Sequence, residues 1–234
     1  ATVVLTGEGA DELFAGYSHY KVLSAMDRLS FLSPGPFARA AGRLLGNAAL
    51  RRGGEFVGRL RGRAEAWLAL KAVFTDEEKR RLYSDGLATS CRAGRPALDL
   101  AREHLRAGDG PYLNQLQRMD LATWLPDDLL VKVDRMTMAH AVEARVPYLD
   151  HRVVEFVMRL PPEWKMSLFE GKRILREVAA RVLPREIVRR RKTGFAVPVG
   201  EWAASDLRGL VRDLLGPVSL RRRGLFRPEA VESL

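Results

Sequence analysis

The chain has 234 residues, of which 47% are hydrophobic and 29% are charged, with a formal net charge of +10 and a single cysteine, Cys91. This composition predicts a soluble globular chain of one domain, or one and a fraction, with a sizeable core. The cysteine count excludes an internal disulfide framework and a cysteine-rich metal site, and no apolar run approaches the roughly 20 residues that cross a bilayer. We therefore expect a cytoplasmic protein without a membrane partner.

The first informative segment predicts a strand, a glycine turn and a helix in succession. Val3 to Leu5 is apolar enough for a buried strand, and Gly7 and Gly9 permit a sharp turn and the close approach of a ligand. From about Ala10 the apolar residues fall at helical spacing as far as Tyr17. The free N–H groups of the first helical turn would favour an anion such as phosphate.

The turn between the predicted strand and helix, residues 6–11, which we call the corner, also contains carboxylates. A phosphate beside Glu8 and Asp11 would be repelled unless a divalent cation lay between them, so the pattern indicates phosphate together with Mg²⁺. The alternative is that Asp11 and Glu12 only complement the dipole in the first turn of a helix. Spacing alone favours that alternative, since the segment is neither a Walker loop nor a GxGxxG motif.

The stretch from about residue 33 to 110 carries no readable chemistry and indicates a helical scaffold. Its predicted elements are a helix from Pro36 to Leu50, a helix from Glu65 to Phe74, a short helix through Leu82 that begins with a Thr75/Glu78 capping box, a loop from Asp85 to Pro96, and a helix from Ala97 to Arg106.

A second informative region runs from Leu125 to Asp150. Pro126 starts a predicted helix in this region. The apolar stripe of that helix consists of Leu129, Leu130, Val133 and Met136. Its charged residues, Asp128, Lys132 and Asp134, form either a charge ladder on a solvated face or the polar edge of a cleft.

Two further charged residues of this region precede Pro147. Glu143 and Arg145 lie on the extended approach to that proline, where they pair with each other or contact a charged ligand.

The third region, Arg189 to Trp202, is basic. Lys192 lies with Thr193 and Gly194 on a loop, where an ammonium and backbone amides could face phosphate, or where the basic turn is simply solvated. The basic clusters also raise nucleic-acid binding, but other arginines alternate with acidic residues and no aromatic stacking platform accompanies them. We therefore expect no nucleic-acid partner.

Together, these segments resemble the synthetase domain of glutamine-hydrolysing asparagine synthetases. The resemblance is carried by Thr-Gly-Glu-Gly-Ala-Asp-Glu-Leu-Phe-Ala-Gly-Tyr at 6–17, Leu-Pro-Asp-Asp-Leu-Leu-Val-Lys-Val-Asp-Arg at 125–135, Glu-Ala-Arg-Val-Pro-Tyr-Leu-Asp at 143–150, and Arg-Lys-Thr-Gly-Phe at 191–195. It implies an α/β fold, an adenine-nucleotide alpha hydrolase-like (Rossmann-like) synthetase domain, here a mostly helical C-terminal portion with one predicted N-terminal strand. Residues 1–234 would form a partial domain with helical scaffold at 33–110 and cleft motifs at 121–150 and 185–202.

The resemblance also implies a chemistry, in which ATP and Mg²⁺ adenylate the side chain of aspartate and ammonia from glutamine attacks the acyl-adenylate. Thr6 and Gly7 would then contact ATP, and Asp11 would coordinate Mg²⁺. Lys192 would stabilise charge on the pyrophosphate and the intermediate. Glu8 matches a carboxylate that is important for the acyl-adenylate in asparagine-forming members, and would deprotonate ammonia. The cleft wall would contain Asp128, Lys132, Asp134, Glu143 and Arg145.

Two parts of the family pattern are missing from the 234 residues. The Ser-Gly-Gly-x-Asp-Ser nucleotide loop is absent, and so is the N-terminal glutaminase domain with its cysteine nucleophile, a role that Cys91 does not match. We therefore expect little or no synthetase activity of the chain itself. Because Ala1 and Thr2 lead straight into a strand without an initiator Met, and the chain stops just after a helical pattern that begins at Pro228, we also expect it to be truncated at both ends. The alternatives are a related amidotransferase or cyclising amide synthetase that acts on another carboxylate, and a non-catalytic remnant or interaction module.

Overall fold

The computed structural model describes residues 2–29, 62–92, 94–106, 110–167, 169–190 and 197–234. The predicted helix from Pro36 to Leu50 and the basic loop at Lys192 lie outside these residues. The chain divides into two compact units, the first made of Ala1–Leu70 and Ala97–Arg190 and the second of Lys71–Pro96 and Arg191–Leu234. None of the helices in the described ranges combines the length and apolar character of a membrane span.

The first unit contains both described strands and most of the described helices. Its elements, in chain order, are β1 (Val3–Leu5), α1 (Ala10–Leu13), α2 (Ser18–Leu29), α3 (Arg63–Lys71, whose last residue falls in the second unit), α6 (Ala97–Arg106), α7 (Tyr112–Ala122), a π-helical segment (Leu125–Leu130), α8 (Val131–Met138), β2 (Glu143–Arg145), a 3-10 turn (Pro147–Leu149), α9 (His151–Arg159), α10 (Pro162–Lys165), α11 (Arg173–Ala179) and α12 (Arg185–Arg189).

The two strands pair in parallel, with Val3 opposite Glu143 and Leu5 opposite Arg145. The prediction of a strand at Val3 to Leu5 is confirmed, but the prediction that it is buried is wrong, because Leu5 is 72% exposed. The second strand, β2, is additional to the one predicted strand. The segment Glu143–Arg145 lacks the apolar run of a buried strand, and its pairing depends on a partner distant in sequence. The consequence is that the chain after β1 and the chain after β2 leave the sheet at the same edge.

The largest core cluster of the first unit lies between α2, α3, α6 and α7. It includes Tyr20, Leu23, Trp67, Ala101, Leu105, Leu116 and Met119. A carboxylate lies inside this apolar cluster, since Asp120 is wholly buried. Tyr20 donates to it at 2.6 Å, Trp67 donates at 3.1 Å and His19 lies 3.2 Å away, so the buried charge is well supplied with polar partners.

The helix predicted to start at Pro126 consists of two segments. Pro126 lies within the π-helical segment Leu125–Leu130, which leads directly into α8. Of the predicted apolar stripe, Leu129, Leu130 and Val133 are half-buried, whereas Met136 is 62% exposed. A π-helical turn contains an additional residue, so side chains after it no longer share a face with those before it.

The second unit is also helical. Its elements are α4 (Asp76–Leu82), α5 (Asp85–Arg92), α13 (Val199–Ala204), α14 (Arg208–Leu215), α15 (Pro217–Arg223) and α16 (Pro228–Glu232). The capping box at the start of α4 is confirmed, with Thr75 Oγ1 accepting from Glu78 N and Glu78 Oε2 accepting from Thr75 N.

The predicted loop from Asp85 to Pro96 is wrong, because Asp85–Arg92 forms α5. Its Gly, Ser and Thr residues favour a loop, but contacts with the C-terminal segment outweigh that preference. Ser84 Oγ accepts from Leu87 N at the start of the helix, and Arg227 donates to Asp85 at 2.8 Å. The first of these bonds satisfies an N–H of the first helical turn and offsets weak intrinsic propensity. The second joins the start of α5 to the C-terminal segment.

We expect Thr75→Ala to destabilise α4 by about 1 kcal/mol, because the N–H of Glu78 then loses its side-chain acceptor. Amide hydrogen exchange of the peptide spanning residues 75–82 measures this loss directly. Thr75→Ser keeps the hydroxyl and should exchange like the wild-type chain. Equal protection in Thr75→Ala and wild type would show that the capping box contributes nothing.

Candidate functional site

The corner after β1 lies at the carboxyl edge of the parallel strand pair, where open α/β sheets bind their ligands. Thr6 N donates to Arg145 O at 2.9 Å, which extends the ladder by one bond. The hydroxyl of Thr6 is buried, and it has no hydrogen-bond partner within the described part of the chain. Gly7 borders open space, since a Cβ placed on it would meet no described atom within 4 Å. Thr6 and Gly7 therefore present an unsatisfied hydroxyl beside open backbone.

Gly9 brings the first and second motifs together. Its backbone is left-handed, with a φ of 85°, and a Cβ would lie 2.8 Å from Leu149 Cγ. Glycine is required here both by conformation and by space. Because Leu149 follows β2, the turn at Gly9 packs directly against the segment 143–150.

Helix α1 is shorter than the sequence pattern predicts. It ends at Leu13 rather than continuing to Tyr17, because Ala15 adopts a left-handed φ of 55° and Gly16 N donates back to Asp11 O at 2.8 Å. A left-handed alanine costs about 1 to 2 kcal/mol, so other contacts must hold this reversal in place. Strain of this kind is concentrated at functional sites.

Asp11 contacts a lysine that the sequence motifs do not include. Lys172 Nζ lies 3.2 Å from Asp11 Oδ1, and the two side chains are 26% and 25% exposed. Lys172 also has a left-handed φ of 56°, and its N–H donates to Phe14 O at 2.9 Å. An ammonium therefore lies beside Asp11 itself, on the N-cap residue of α11. No spacing rule marks Lys172, because only the fold brings residue 172 to residue 11.

The carboxylates of the corner are compatible with Mg²⁺ bound together with phosphate. Glu8 is partly exposed and has no hydrogen bond or ion pair to any described residue, while Asp11 keeps part of its surface open. Among the described residues no group of three or more His, Cys, Asp or Glu side chains could hold a metal. Mg²⁺ commonly takes one or two carboxylates and fills its remaining positions with phosphate oxygens and water, so the donor set fits the ion.

Glu12 is part of the interior instead of the ligand face. It is buried, and Tyr17 OH donates to its Oε1 at 2.6 Å. Burial raises the pKa of the Glu12 carboxyl above its usual value, and burial together with Glu12 raises the pKa of Tyr17. This hydrogen bond therefore holds the Tyr17 hydroxyl against the buried Glu12 carboxyl.

A buried lysine supports α1 from below. Lys165 is wholly buried and donates to Asn114 Oδ1 at 2.7 Å and Gln117 Oε1 at 2.8 Å. Gln117 Nε2 in turn donates to the main-chain oxygens of Glu12 and Leu13, at 2.8 and 2.6 Å. Desolvation lowers the pKa of Lys165 from 10.5 to about 8. Nothing in the sequence distinguishes this lysine from a surface one.

The remaining predicted cleft residues lie on the surface. Asp128, Lys132 and Asp134 are exposed, and no ion pair among the described residues joins them. Glu143 and Arg145 contact each other, with Arg145 Nε donating to Glu143 Oε1 at 2.8 Å. This hydrogen bond lowers the pKa of Glu143 and raises that of Arg145. Lys192 lies outside the described residues, so its assignment stays a prediction.

Comparison with known proteins identifies relatives of the whole chain. The family model described as "Asparagine synthase" matches residues 1–234. "Asparagine synthetase [glutamine-hydrolyzing] 1" of Bacillus subtilis is 30% identical over 232 residues, covering 92% of this chain and 33% of the relative. "Putative asparagine synthetase [glutamine-hydrolyzing]" of Mycobacterium bovis is 33% identical over 211 residues, covering 86% of this chain and 30% of the relative.

A more distant relative has another name. "Amidase chry2" of Gibberella zeae is 25% identical over 263 residues, covering 98% of this chain and 37% of the relative. The chain thus spans about a third of the length of the curated relatives that it matches. No solved structure matches it.

We expect the free energy of unfolding to rise with pH between about 8 and 10.5, owing to Lys165. In that range the unfolded chain binds a proton on this lysine that the folded chain does not, so increasing pH favours the folded state. Urea titrations at pH 8.0, 8.8 and 9.6, chosen in that window, measure the slope. Above pH 10 the raised pKa of Tyr20 acts in the opposite direction.

Lys165→Met removes the titrating group and should abolish this slope, although it also lowers stability by leaving Asn114 and Gln117 without their donor. Lys79→Met, at an exposed lysine of α4, is the matched control and should retain the slope. The same slope in Lys165→Met and wild type would contradict the assignment.

Proposed function

Because the chain belongs to the asparagine synthase family, we propose that it forms one part of the nucleotide and aspartate site of a ligase that makes asparagine. In the proposed reaction a carboxylate oxygen of aspartate attacks the α-phosphorus of ATP, and pyrophosphate leaves. Ammonia, supplied by glutamine hydrolysis elsewhere in the full protein, then attacks the acyl carbon, and AMP leaves with the oxygen that it gained. The observation that carries the proposal is the Asp11–Lys172 contact at the carboxyl edge of β1 and β2.

Thr6 and Gly7 supply the nucleotide contacts in this proposal. The N–H of Thr6 is already used in the sheet, so its contact with ATP is made by the buried hydroxyl, which lacks another partner among the described residues. A buried hydroxyl without a hydrogen bond is costly, and a phosphate or ribose oxygen would remove that cost. Gly7 contributes space, because it leaves the ligand face open.

Lys172 and Asp11 act on the charge that develops as pyrophosphate departs. The ammonium of Lys172 is held in place before the reaction, so it stabilises the leaving group without reorganisation at the moment of bond cleavage. Asp11 would hold Mg²⁺, which would neutralise charge on the phosphate oxygens. We retain Lys192 as a second cation for pyrophosphate. Lys172 is not among the site residues predicted from the sequence, and we add it because it contacts Asp11.

Glu8 is assigned to the second half-reaction. It is partly exposed and has no partner among the described residues, so its carboxylate is available to a small molecule. Attack by ammonia on the acyl carbon leaves a proton to be removed from nitrogen, and a nearby carboxylate accepts it. Asp128, Lys132, Asp134, Glu143 and Arg145 remain candidates for the cleft wall, and their exposure is compatible with contact to a ligand or to other parts of a longer protein.

We expect the product of the reading frame that encodes these residues to release pyrophosphate from ATP only with aspartate and Mg²⁺, and to form asparagine when ammonia or glutamine is present. The 234-residue chain alone should release none, because it lacks a nucleotide loop of the Ser-Gly-Gly-x-Asp-Ser type. A coupled pyrophosphate assay and amino-acid analysis measure both. Activity with a different carboxylate would replace aspartate by that acceptor, and no activity with any carboxylate would favour a non-catalytic module.

In the same reading-frame product, Asp11→Asn and Lys172→Met should each lower kcat by about 100-fold, as expected for the loss of one group that stabilises transition-state charge. Asp76→Asn and Lys79→Met provide the matched control, because this second Asp–Lys pair lies on the surface of α4 at 3.5 Å. Both control variants should retain wild-type kcat. Full activity in Lys172→Met would remove Lys172 from the proposed site.

A further inference from the structure

Two glycines lie where the chain of α1 meets the chain that precedes α11. A Cβ on Gly16 would overlap Asp11 Oδ1 and Lys172 Cε, and it would lie 2.8 Å from Asp11 Cγ. A Cβ on Gly171 would overlap the carbonyl oxygen of Ala15. Neither glycine has a positive φ, so their requirement is for space and not for backbone conformation. At both positions a side chain would require the neighbouring atoms to move.

The consequences of filling these two spaces differ. The atoms that crowd Gly16 are the ends of two flexible side chains, which can move apart at little cost to the fold. The atom that crowds Gly171 belongs to the backbone, which is fixed by the hydrogen bond from Lys172 N to Phe14 O at 2.9 Å. A methyl group at residue 16 should therefore separate Asp11 from Lys172. A methyl group at residue 171 should instead push apart the two backbone segments around Ala15 and Gly171.

We propose that Gly16 is a positioning residue, whose missing side chain keeps the Asp11 carboxylate and the Lys172 ammonium in contact at the reaction site. This inference rests on the proposed function for its catalytic meaning, although the geometric part stands without it. The left-handed residues Ala15 and Lys172 turn both segments toward each other, and Gly171 allows the approach. Because Gly16 has no side chain, the Asp11 carboxylate and the Lys172 side chain can occupy the space beside it and contact each other.

The geometric part is tested by acetylation of lysines with acetic anhydride, followed by mass spectrometry of the 234-residue chain. Lys172 is 26% exposed and partly shielded by its contact with Asp11. In Gly16→Ala its acetylation rate should rise to that in Asp11→Asn, and the double variant should show no further rise. Lys79 is the internal reference, and its rate should not change. Gly86→Ala, at an unobstructed glycine of α5, should leave both rates at wild-type values.

An unchanged rate at Lys172 in Gly16→Ala overturns the proposal, as does an equal rise at Lys172 and Lys79. If Gly16→Ala prevents folding, as measured by circular dichroism, Asp11→Ala in the same chain removes the overlapping carboxylate and should restore the fold. Failure to restore it also overturns the proposal. Gly171→Ala, which meets backbone, should destabilise the chain whether or not Asp11 is present.

The catalytic part is tested in the product of the reading frame that encodes these residues. Gly16→Ala should lower kcat for pyrophosphate release by about 100-fold, as expected for a small misplacement of reacting groups. The KM for aspartate should stay near the wild-type value, and Gly16→Ala should cause no further loss in a Lys172→Met background. If acetylation behaves as expected but the wild-type product activates no carboxylate, the proposed function fails while the positioning of Asp11 and Lys172 stands. Independent losses in Gly16→Ala and Lys172→Met would overturn the positioning role.

Discussion

The buried hydrogen bonds from Lys165 through Gln117 to the end of α1 hold the candidate site in place. A helix of four residues does not persist in water without tertiary support, and its last carbonyls need donors from elsewhere. Gln117 supplies donors to Glu12 O and Leu13 O, and the Lys165 ammonium fixes the orientation of that amide. The candidate site therefore depends on two side chains, Lys165 and Gln117, that lie wholly in the interior.

Local features of the fold could be predicted from the sequence, and distant contacts could not. The capping box of Thr75 and Glu78 is encoded by residues three apart, and the strand at Val3–Leu5 by a continuous apolar run. The strand at Glu143–Arg145 has no such pattern, because it exists through pairing with β1. The helix Asp85–Arg92 contradicts its composition partly for the same reason, since Arg227 contacts Asp85 from a distant part of the sequence, while its cap at Ser84 is local.

The residues of the candidate site show the same difference between local features and distant contacts. Thr6, Gly7, Glu8 and Asp11 are neighbours in sequence and were predicted as one corner, which the structure places at the edge of the strand pair. Lys172 could not be predicted, because it reaches Asp11 only through the reversal at Ala15 and the close approach at Gly171. Lys192 belongs to a basic motif that the sequence pattern marks, whereas Lys172 is an isolated lysine before a helix and has no such pattern.

The π-helical segment Leu125–Leu130 has a consequence for the whole second motif. Each residue of an α-helix advances by about 100°, so one additional residue in a wide turn rotates everything that follows by about that angle. In the structure Lys132, Asp134 and Met136 are all exposed, and a different helical phase would place them on another face. A change of chain length within Leu125–Leu130 would thus redirect the charged face of α8 as effectively as replacing its residues.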